Sequence, residues 1–373
     1  MIKVLQMPVR NAKGGITQYA LRNWEHIDKS RFVFDWVTLD KELSFERELE
    51  QQECKVHHLS CRQEDDESRF RAEMKEILAN SYDAVHLHTS YWRGFLAEEL
   101  ALEVGIPKII VHAHSTGIDI ADDIERKRLL DSHNKWKSLF NKDLATHFTA
   151  CSKNAAEFLF GPQIPRERVI ILKNAINTGQ FAFNSVKRAD IRREMALEDK
   201  FVIIQPARLE HQKNHMFSLN VLSEALKRVP NAVLLLAGDG KLRSELDKAV
   251  NELGISENVR FLGFRSDVSD LLQASDLFIF PSLFEGLGIS AIEAQCSGVI
   301  CLLSDRVPQE AVVTENAKRL ALIENEWVYE ICKIAIESSD IHERHDRSEE
   351  IALEGYSLKE EIKKLEKLYS CED

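Results

Sequence analysis

Short, almost unbroken apolar runs recur along this chain and alternate with stretches of helical periodicity from one end to the other. The runs 2–7, 32–39, 84–88, 109–112, 147–150 and 169–172 form one series, and 201–205, 233–237, 259–262, 277–280 and 299–302 form a second. Val, Ile, Leu and Phe dominate many of them, the pattern of strands buried on both faces of a parallel sheet. Helical patterns at 17–27, 44–53, 64–79, 214–228, 241–253 and 268–273 lie between them. Alternation of this kind builds βαβ units, and so an α/β fold.

The series breaks near 174–200, where a turn-rich stretch from Asn174 to Phe181 precedes a basic helical segment, 186–197, and then a new strand. A chain of 373 residues is too long for one simple core. At roughly 100–200 residues per domain it suits two. The expectation is two doubly wound, Rossmann-like domains, 1–175 and 176–356. Beyond them Ser357 and Glu360 form a capping box, and Leu358, Ile362, Leu365 and Leu368 follow at helical spacing. A final amphipathic helix, 357–369, must bury that stripe, on its own domain or by crossing back to the first.

Composition removes several function classes. No run approaches the ~20 apolar residues of a membrane-spanning helix. The opening Met1-Ile2-Lys3-Val4-Leu5 reads as a strand start and not as a signal peptide, so a cytoplasmic protein is expected. The net charge of −12 argues against a nucleic-acid binder. Residues 1–175 hold 25 basic and 27 acidic side chains, and the remainder 24 and 34, so the deficit falls on the second half. An acidic half that binds an anion must do so with a few aimed cations. The seven cysteines are scattered and contain no C-x-x-C pair, which suits free thiols, with Cys151, Cys296 and Cys301 as packing residues.

Several segments could carry chemistry. Gly14-Gly15 precede a helix, where backbone can approach a ligand closely and exposed N–H groups favour an anion. The pattern is not G-x-G-x-x-G, and Gly238-Asp239-Gly240 also lacks a third glycine and reads as a turn. No P-loop occurs. His86, His88, His112 and His114 cluster at the ends of two predicted parallel strands, where ligands bind in open α/β sheets. They can be acid/base groups or metal ligands, but no carboxylate sits at a matching spacing, so no metal site is expected. The sharpest segment runs from Phe278 to Gly298. A strand ends at Pro281, a glycine-bearing loop holds Glu285 and Gly286-Leu287-Gly288, and a helix beginning near Gly288 carries Glu293. Backbone donors at the positive helix end suit a phosphate, and the flanking carboxylates suit hydroxyls on either side of a diphosphate.

This last segment resembles the E-x7-E signature of the family 4 glycosyltransferases, retaining nucleotide-sugar enzymes of the GT-B fold. Further matches follow the same order: Ala207-Arg208 with Lys213-Asn214, Leu236 to Gly240 with Phe261 to Arg265, and His112-Ala113-His114-Ser115. The match is strong over 200–300 and weaker over 1–175, and within the family it is most similar to bacterial capsular and exopolysaccharide glycosyltransferases. The resemblance implies two Rossmann-like domains facing a central cleft, with the C-terminal helix crossing back to the first. It implies an acceptor-side domain at 1–175 and a donor domain at 176–356. Arg208 and Lys213 would hold the donor diphosphate, Glu293 the ribose hydroxyls, and Glu285 with the Gly286, Leu287 and Gly288 backbone the transferred sugar and β-phosphate. The backbone at Phe264 would lie beside the base. Gly14 and Gly15 would close over the phosphates, and His114 would sit near the reacting centre as a donor to a sugar hydroxyl or a helper of the leaving group. Ala207 stands where the family usually has Gly, and Lys173-Asn174-Ala175 replaces a commoner Asn-Gly.

The chemistry agrees. A departing nucleoside diphosphate gains negative charge, which metal-dependent enzymes meet with a D-x-D held after an apolar strand. The acidic run Asp119 to Asp123 does not follow such a strand directly, whereas Arg208, Lys213 and a helix N-terminus can meet the charge without metal or cofactor. The expected partners are a nucleotide-sugar donor, with UDP-sugar the first choice, and a saccharide or lipid-linked acceptor. The segment 123–141 mixes five basic residues with leucines, Trp136 and Phe140. It can rest on an anionic membrane or be an ordinary surface helix. Two alternatives stand beside glycosyl transfer: a GT-B nucleotide-sugar 2-epimerase, which needs no acceptor, and a non-catalytic nucleotide-sugar-binding subunit, which should lack one of Arg208, Lys213, Glu285 or Glu293.

Overall fold

The computed structural model of the protein describes residues 1–11, 15–118, 120, 122–337 and 344–370. It contains two compact units, Met1–Asn174 with Lys359–Asp373, and Ala175–Leu358. The first is built on β1 (Ile2–Val9), β2 (Phe32–Thr38), β3 (Val56–His58), β4 (Ala84–Thr89), β5 (Lys108–Ala113), β6 (His147–Ala150) and β7 (Val169–Ile171). They form one sheet in the order β3-β2-β1-β4-β5-β6-β7. The second holds β8 (Phe201–Pro206), β9 (Ala232–Ala237), β10 (Val259–Gly263), β11 (Leu277–Phe280), β12 (Ile300–Ser304) and β13 (Ala317–Leu320), ordered β10-β9-β8-β11-β12-β13. Pairing is parallel in both sheets.

Continuous apolar runs became central strands because both faces are covered. Every residue of β8, β9 and β11 is buried. The periodicity did not reveal β3 and β13. Both lie at sheet edges, are short, and carry His or Lys/Arg, as edge strands tend to. In each sheet the strand order reverses once, between β1 and β4 and between β8 and β11. Such a reversal opens a crevice at the carboxyl ends of the strands, where ligands bind in this architecture.

The C-terminal helix, Leu358–Tyr369, resolves the choice that its stripe left open. It belongs to the first unit. Leu365, Leu368 and Tyr369 pack into the cluster formed by Val4, Phe34 and Trp36. Each fully buried side chain of this kind contributes about 1.5–3 kcal/mol. Among the described residues no helix is long and apolar enough to cross a membrane.

Candidate active site

In the second unit the site residues sit on loops at the carboxyl ends of β8 and β11, either side of the order reversal. The loop after β8 is laid down on the end of β9. The Ala207 N–H donates to the Ala237 carbonyl at 3.0 Å, and the Leu209 N–H to the Asp239 carbonyl at 3.0 Å. A Cβ on Gly238 would stand 2.0 Å from the Ala207 oxygen, and one on Gly240 2.4 Å from the Leu209 oxygen. The Gly-Asp-Gly turn therefore has a second task, which the sequence reading did not see. It lets two backbones touch on either side of Arg208. Gly263, at the end of β10, bridges to Gly238, and the next residue, Phe264, is exposed.

The same loop is tied to the one after β11. The Leu283 N–H donates to the Gln212 carbonyl at 2.9 Å, Gln212 Nε2 to the Phe284 carbonyl at 2.8 Å, and Asn214 Nδ2 to the Pro281 carbonyl at 3.2 Å. Asn214 is left-handed at φ 54°, a conformation that Asn tolerates better than most side chains. From inside the core Gln205 Nε2 donates to the Lys213 carbonyl at 2.7 Å. These ties bring Lys213 Nζ to 2.5 Å from Glu285 Oε1 and to 5.0 Å from the Phe280 ring centre. Arg208 is exposed and enters no ion pair among the described residues. Gly288, at φ +85°, caps the helix Ile289–Cys296, and a Cβ there would meet Phe280 at 3.0 Å. Leu287 is buried beside it. Glu293, one turn into this helix, is buried and not solvated. Two cations, a glycine-bearing helix start and two sheltered carboxylates thus share one edge of an acidic unit.

In the first unit the register sets the histidines. His88 pairs with His112 across β4 and β5, and Gln6 pairs with His86 across β1 and β4. His-x-His spacing at both strands then turns all four imidazoles to one face. Tyr19, from the helix Gly15–His26, lies edge-on to His88, His112 and His114 at 5.8, 5.0 and 5.1 Å. Gly15 opens that helix, while Gly14 lies outside the described residues. Burial drives the His86, His112 and His114 imidazoles well below their usual pKa and His88 to about 3, so the cluster is neutral at pH 7. His86, His88 and His112 each place one ligand nitrogen within 4.8 Å of the others. Five of their six ring nitrogens are already spent in hydrogen bonds to His114, Gln6, Tyr369 and each other.

Those bonds bring in Gln6 and Tyr369, which the motif reading passed over. A signal existed for each: Gln6 is a polar residue inside an otherwise apolar strand, and Tyr369 closes an amphipathic stripe. The thiols have packing roles. Cys151, Cys296 and Cys301 are buried thiols that form no disulfide among the described residues, and desolvation pushes Cys296 up to about 12 and Cys301 higher.

Family models match both halves of the chain: "Glycosyl transferase 4-like domain" over residues 14–175, and "Glycosyl transferases group 1" over 187–344. The Bacillus subtilis (strain 168) protein named "Putative glycosyltransferase EpsF" is 27% identical over 373 residues, covering 96% of this chain and 94% of that protein. An Escherichia coli UDP-Gal:alpha-D-GlcNAc-diphosphoundecaprenol alpha-1,3-galactosyltransferase is 24% identical over 237 residues, 62% of this chain and 60% of that protein. In fold, the chain matches the crystal structure of Anabaena Alr3699/HepE in complex with UDP and glucose, with a TM-score of 0.78, 17% identity and all of both chains covered. With the two parallel-sheet units and the loop chemistry at their strand ends, these matches lead to one conclusion: the chain is a glycosyltransferase, a member of the family 4 type with the GT-B fold.

Proposed function

We propose that this enzyme transfers a sugar, with retention, from a UDP-sugar to a saccharide acceptor carried on a lipid, as a step in bacterial polysaccharide assembly. The observation that carries this reading is the pairing of Lys213 with Glu285 beside exposed Arg208 and the Gly288-capped helix. A leaving nucleoside diphosphate needs positive charge as its bond to the sugar breaks, and groups of this kind supply it. Lys213 exchanges Glu285 for the phosphate, and the freed carboxylate is left for the sugar. Glu293 accepts from the ribose, and the backbone at Phe264 lines the base. In the first unit His114 is the group offered to a hydroxyl of the transferred sugar. The galactosyltransferase relative, whose name gives a UDP-sugar donor and a diphosphoundecaprenol acceptor, supports the choice of donor and of a lipid-borne acceptor.

A lipid-borne acceptor places the enzyme at the inner face of the cell membrane. The helix Asp123–Leu139 offers a surface for this, with Ile124 and Leu139 exposed on the side that carries Lys127 and Lys135. Arg126 and Arg128 are paired within the helix to Asp123 and Glu125, so the contact is a light one.

Calorimetry with UDP tests the donor assignment. Two charge-assisted hydrogen bonds to the ribose are worth about 1.5–3 kcal/mol each. Glu293→Ala should therefore weaken UDP binding at least tenfold, and an unchanged affinity removes the ribose role. Release of UDP only when an acceptor is supplied separates transfer from epimerisation.

A further inference from the structure

Six polar side chains in the first unit form one unbranched hydrogen-bond chain. Its contacts are His114 Nε2 to His88 Nδ1 at 2.9 Å, His88 Nε2 to Gln6 Oε1 at 2.8 Å and Gln6 Nε2 to the Tyr369 hydroxyl at 3.0 Å. The Tyr369 hydroxyl then reaches His86 Nδ1 at 2.6 Å, and His86 Nε2 reaches His112 Nδ1 at 3.0 Å. The chain has two loose ends. Neither His114 Nδ1 nor His112 Nε2 has a partner among the described residues, and both atoms are buried.

A neutral imidazole has one N–H and one lone pair. Each link therefore dictates the next, and the whole chain has a single direction. Gln6 sets it. Its amide oxygen faces His88 and its nitrogen faces Tyr369, so His88 donates to Gln6 and Gln6 donates to the tyrosine. The bond lengths agree. A 3.0 Å contact is the length of N–H···O, while 2.6 Å is too short for an imidazole N–H and suits the tyrosine O–H donating to His86. Following the direction outward, His88 Nδ1 is a lone pair, so His114 carries its proton on Nε2 and leaves Nδ1 bare. At the far end, His112 carries an N–H on Nε2.

We propose that Gln6, His88, Tyr369 and His86 act as positioning residues that lock His114 in its Nε2–H tautomer, so that its bare Nδ1 serves the sugar as a hydrogen-bond acceptor. His112, wholly buried at the other end of the chain, keeps its proton on Nε2, with the His112 and His114 ring centres 4.0 Å apart. A bare ring nitrogen suits a substrate hydroxyl, which gives its proton to it in a hydrogen bond. This reverses the donor role that the family resemblance suggests for His114. Burial keeps all four imidazoles neutral near pH 7, which the tautomer argument requires. The inference rests on the reading of His114 as a sugar contact. The C-terminal helix acquires a second function through it, because Tyr369, 283 residues from His86, relays to it the direction that Gln6 sets.

The test is nitrogen NMR of the full-length, ligand-free protein with ring-labelled histidine, each resonance assigned from single His→Gln variants. His114 should show a protonated Nε2 and an unprotonated Nδ1; a protonated Nδ1 overturns the proposal. In Gln6→Glu both His88 and Tyr369 must donate to the carboxylate. His114 should then keep its tautomer, while His86 and His112 exchange theirs. Movement at His114, or no change at His86, counts against the single chain. Should that variant not fold, Tyr369→Phe frees the amide to turn over, and His114 should populate both tautomers; an unchanged signal denies the anchoring role. Tyr369→Phe should also lower kcat about tenfold, the worth of one hydrogen bond, with UDP affinity unchanged. The tautomers are read without substrate. A protein that shows them with normal turnover in His114→Gln keeps the network and loses the sugar contact. A protein that needs His114 but carries the proton on Nδ1 does the opposite.

Discussion

Lys213 Nζ lies 2.5 Å from Glu285 Oε1, across 72 residues of sequence, with both side chains largely withdrawn from solvent. The pair holds the loops after β8 and β11 at the order reversal of the second sheet, and on the proposed reading it keeps a cation ready for the developing diphosphate charge. Lys213→Ala should lower kcat by on the order of 10²–10³, more than it raises KM, because the interaction strengthens as the bond breaks. Lys213→Arg should recover part of the loss, since charge survives and geometry does not. Steady-state kinetics with and without excess EDTA check both this and the expectation that no metal shares the task; activity that EDTA abolishes and Mg²⁺ or Mn²⁺ restores would mean a metal carries the charge.

Gly238→Ala tests whether the Gly-Asp-Gly turn positions Arg208. Its Cβ would enter the Ala207 carbonyl, so the backbone on one side or the other must move. We expect weaker UDP binding and reduced kcat/KM with the second unit still folded, as read by calorimetry beside circular dichroism. Gly254→Ala is the control. That glycine, at φ +67°, has nothing within 4 Å of its Cβ position, so its variant should strain only its own turn and leave binding unchanged.

Acid should destabilise the first unit. In the folded chain the four clustered imidazoles are held below their usual pKa by burial, while the unfolded chain takes up their protons from about pH 6.5 downward. The unfolded state then binds more protons, so stability present above pH 6.5 is lost as pH falls toward the folded pKa values. Each imidazole contributes a slope of about 1.4 kcal/mol per pH unit in that window. Chemical denaturation at pH 7.5 and 5.5 should show the loss, and replacing two of the four, His88 and His114, should reduce it by about half.

Removing residues 358–373 should cost the first unit its fold. Ile362, Leu365, Leu368 and Tyr369 are all buried. At about 1.5–3 kcal/mol each they represent on the order of 10 kcal/mol, comparable with the whole stability of a domain. Hydrogen exchange should find β1 and β2 unprotected in the truncated chain and β8, β9 and β11 still protected. Full protection of β1 would show that the helix is dispensable.

Local pattern was enough for the α/β class and for most strands, because a strand buried on both faces has to be apolar throughout, as β9 with Ala-Val-Leu-Leu-Leu-Ala is. It was enough to single out the charged groups near the ends of β8 and β11 as well. Arg208, Lys213, Glu285 and Glu293 stood out because they accompany glycines at strand-to-helix turns. The edge strands β3 and β13 were not, since an edge strand needs no apolar face and does best with charge.

Tertiary structure alone decided what depends on partners distant in sequence. Nothing local says that Gly238 must admit the Ala207 carbonyl, that the C-terminal helix belongs with β1 and β2, or that Lys213 meets Glu285. The proton on each histidine is the clearest case. His114 has the same sequence neighbours whichever nitrogen is protonated. The choice passes through His88 and Gln6 to a tyrosine at the other end of the chain, because a buried imidazole takes its tautomer from whatever donor or acceptor the fold sets against it.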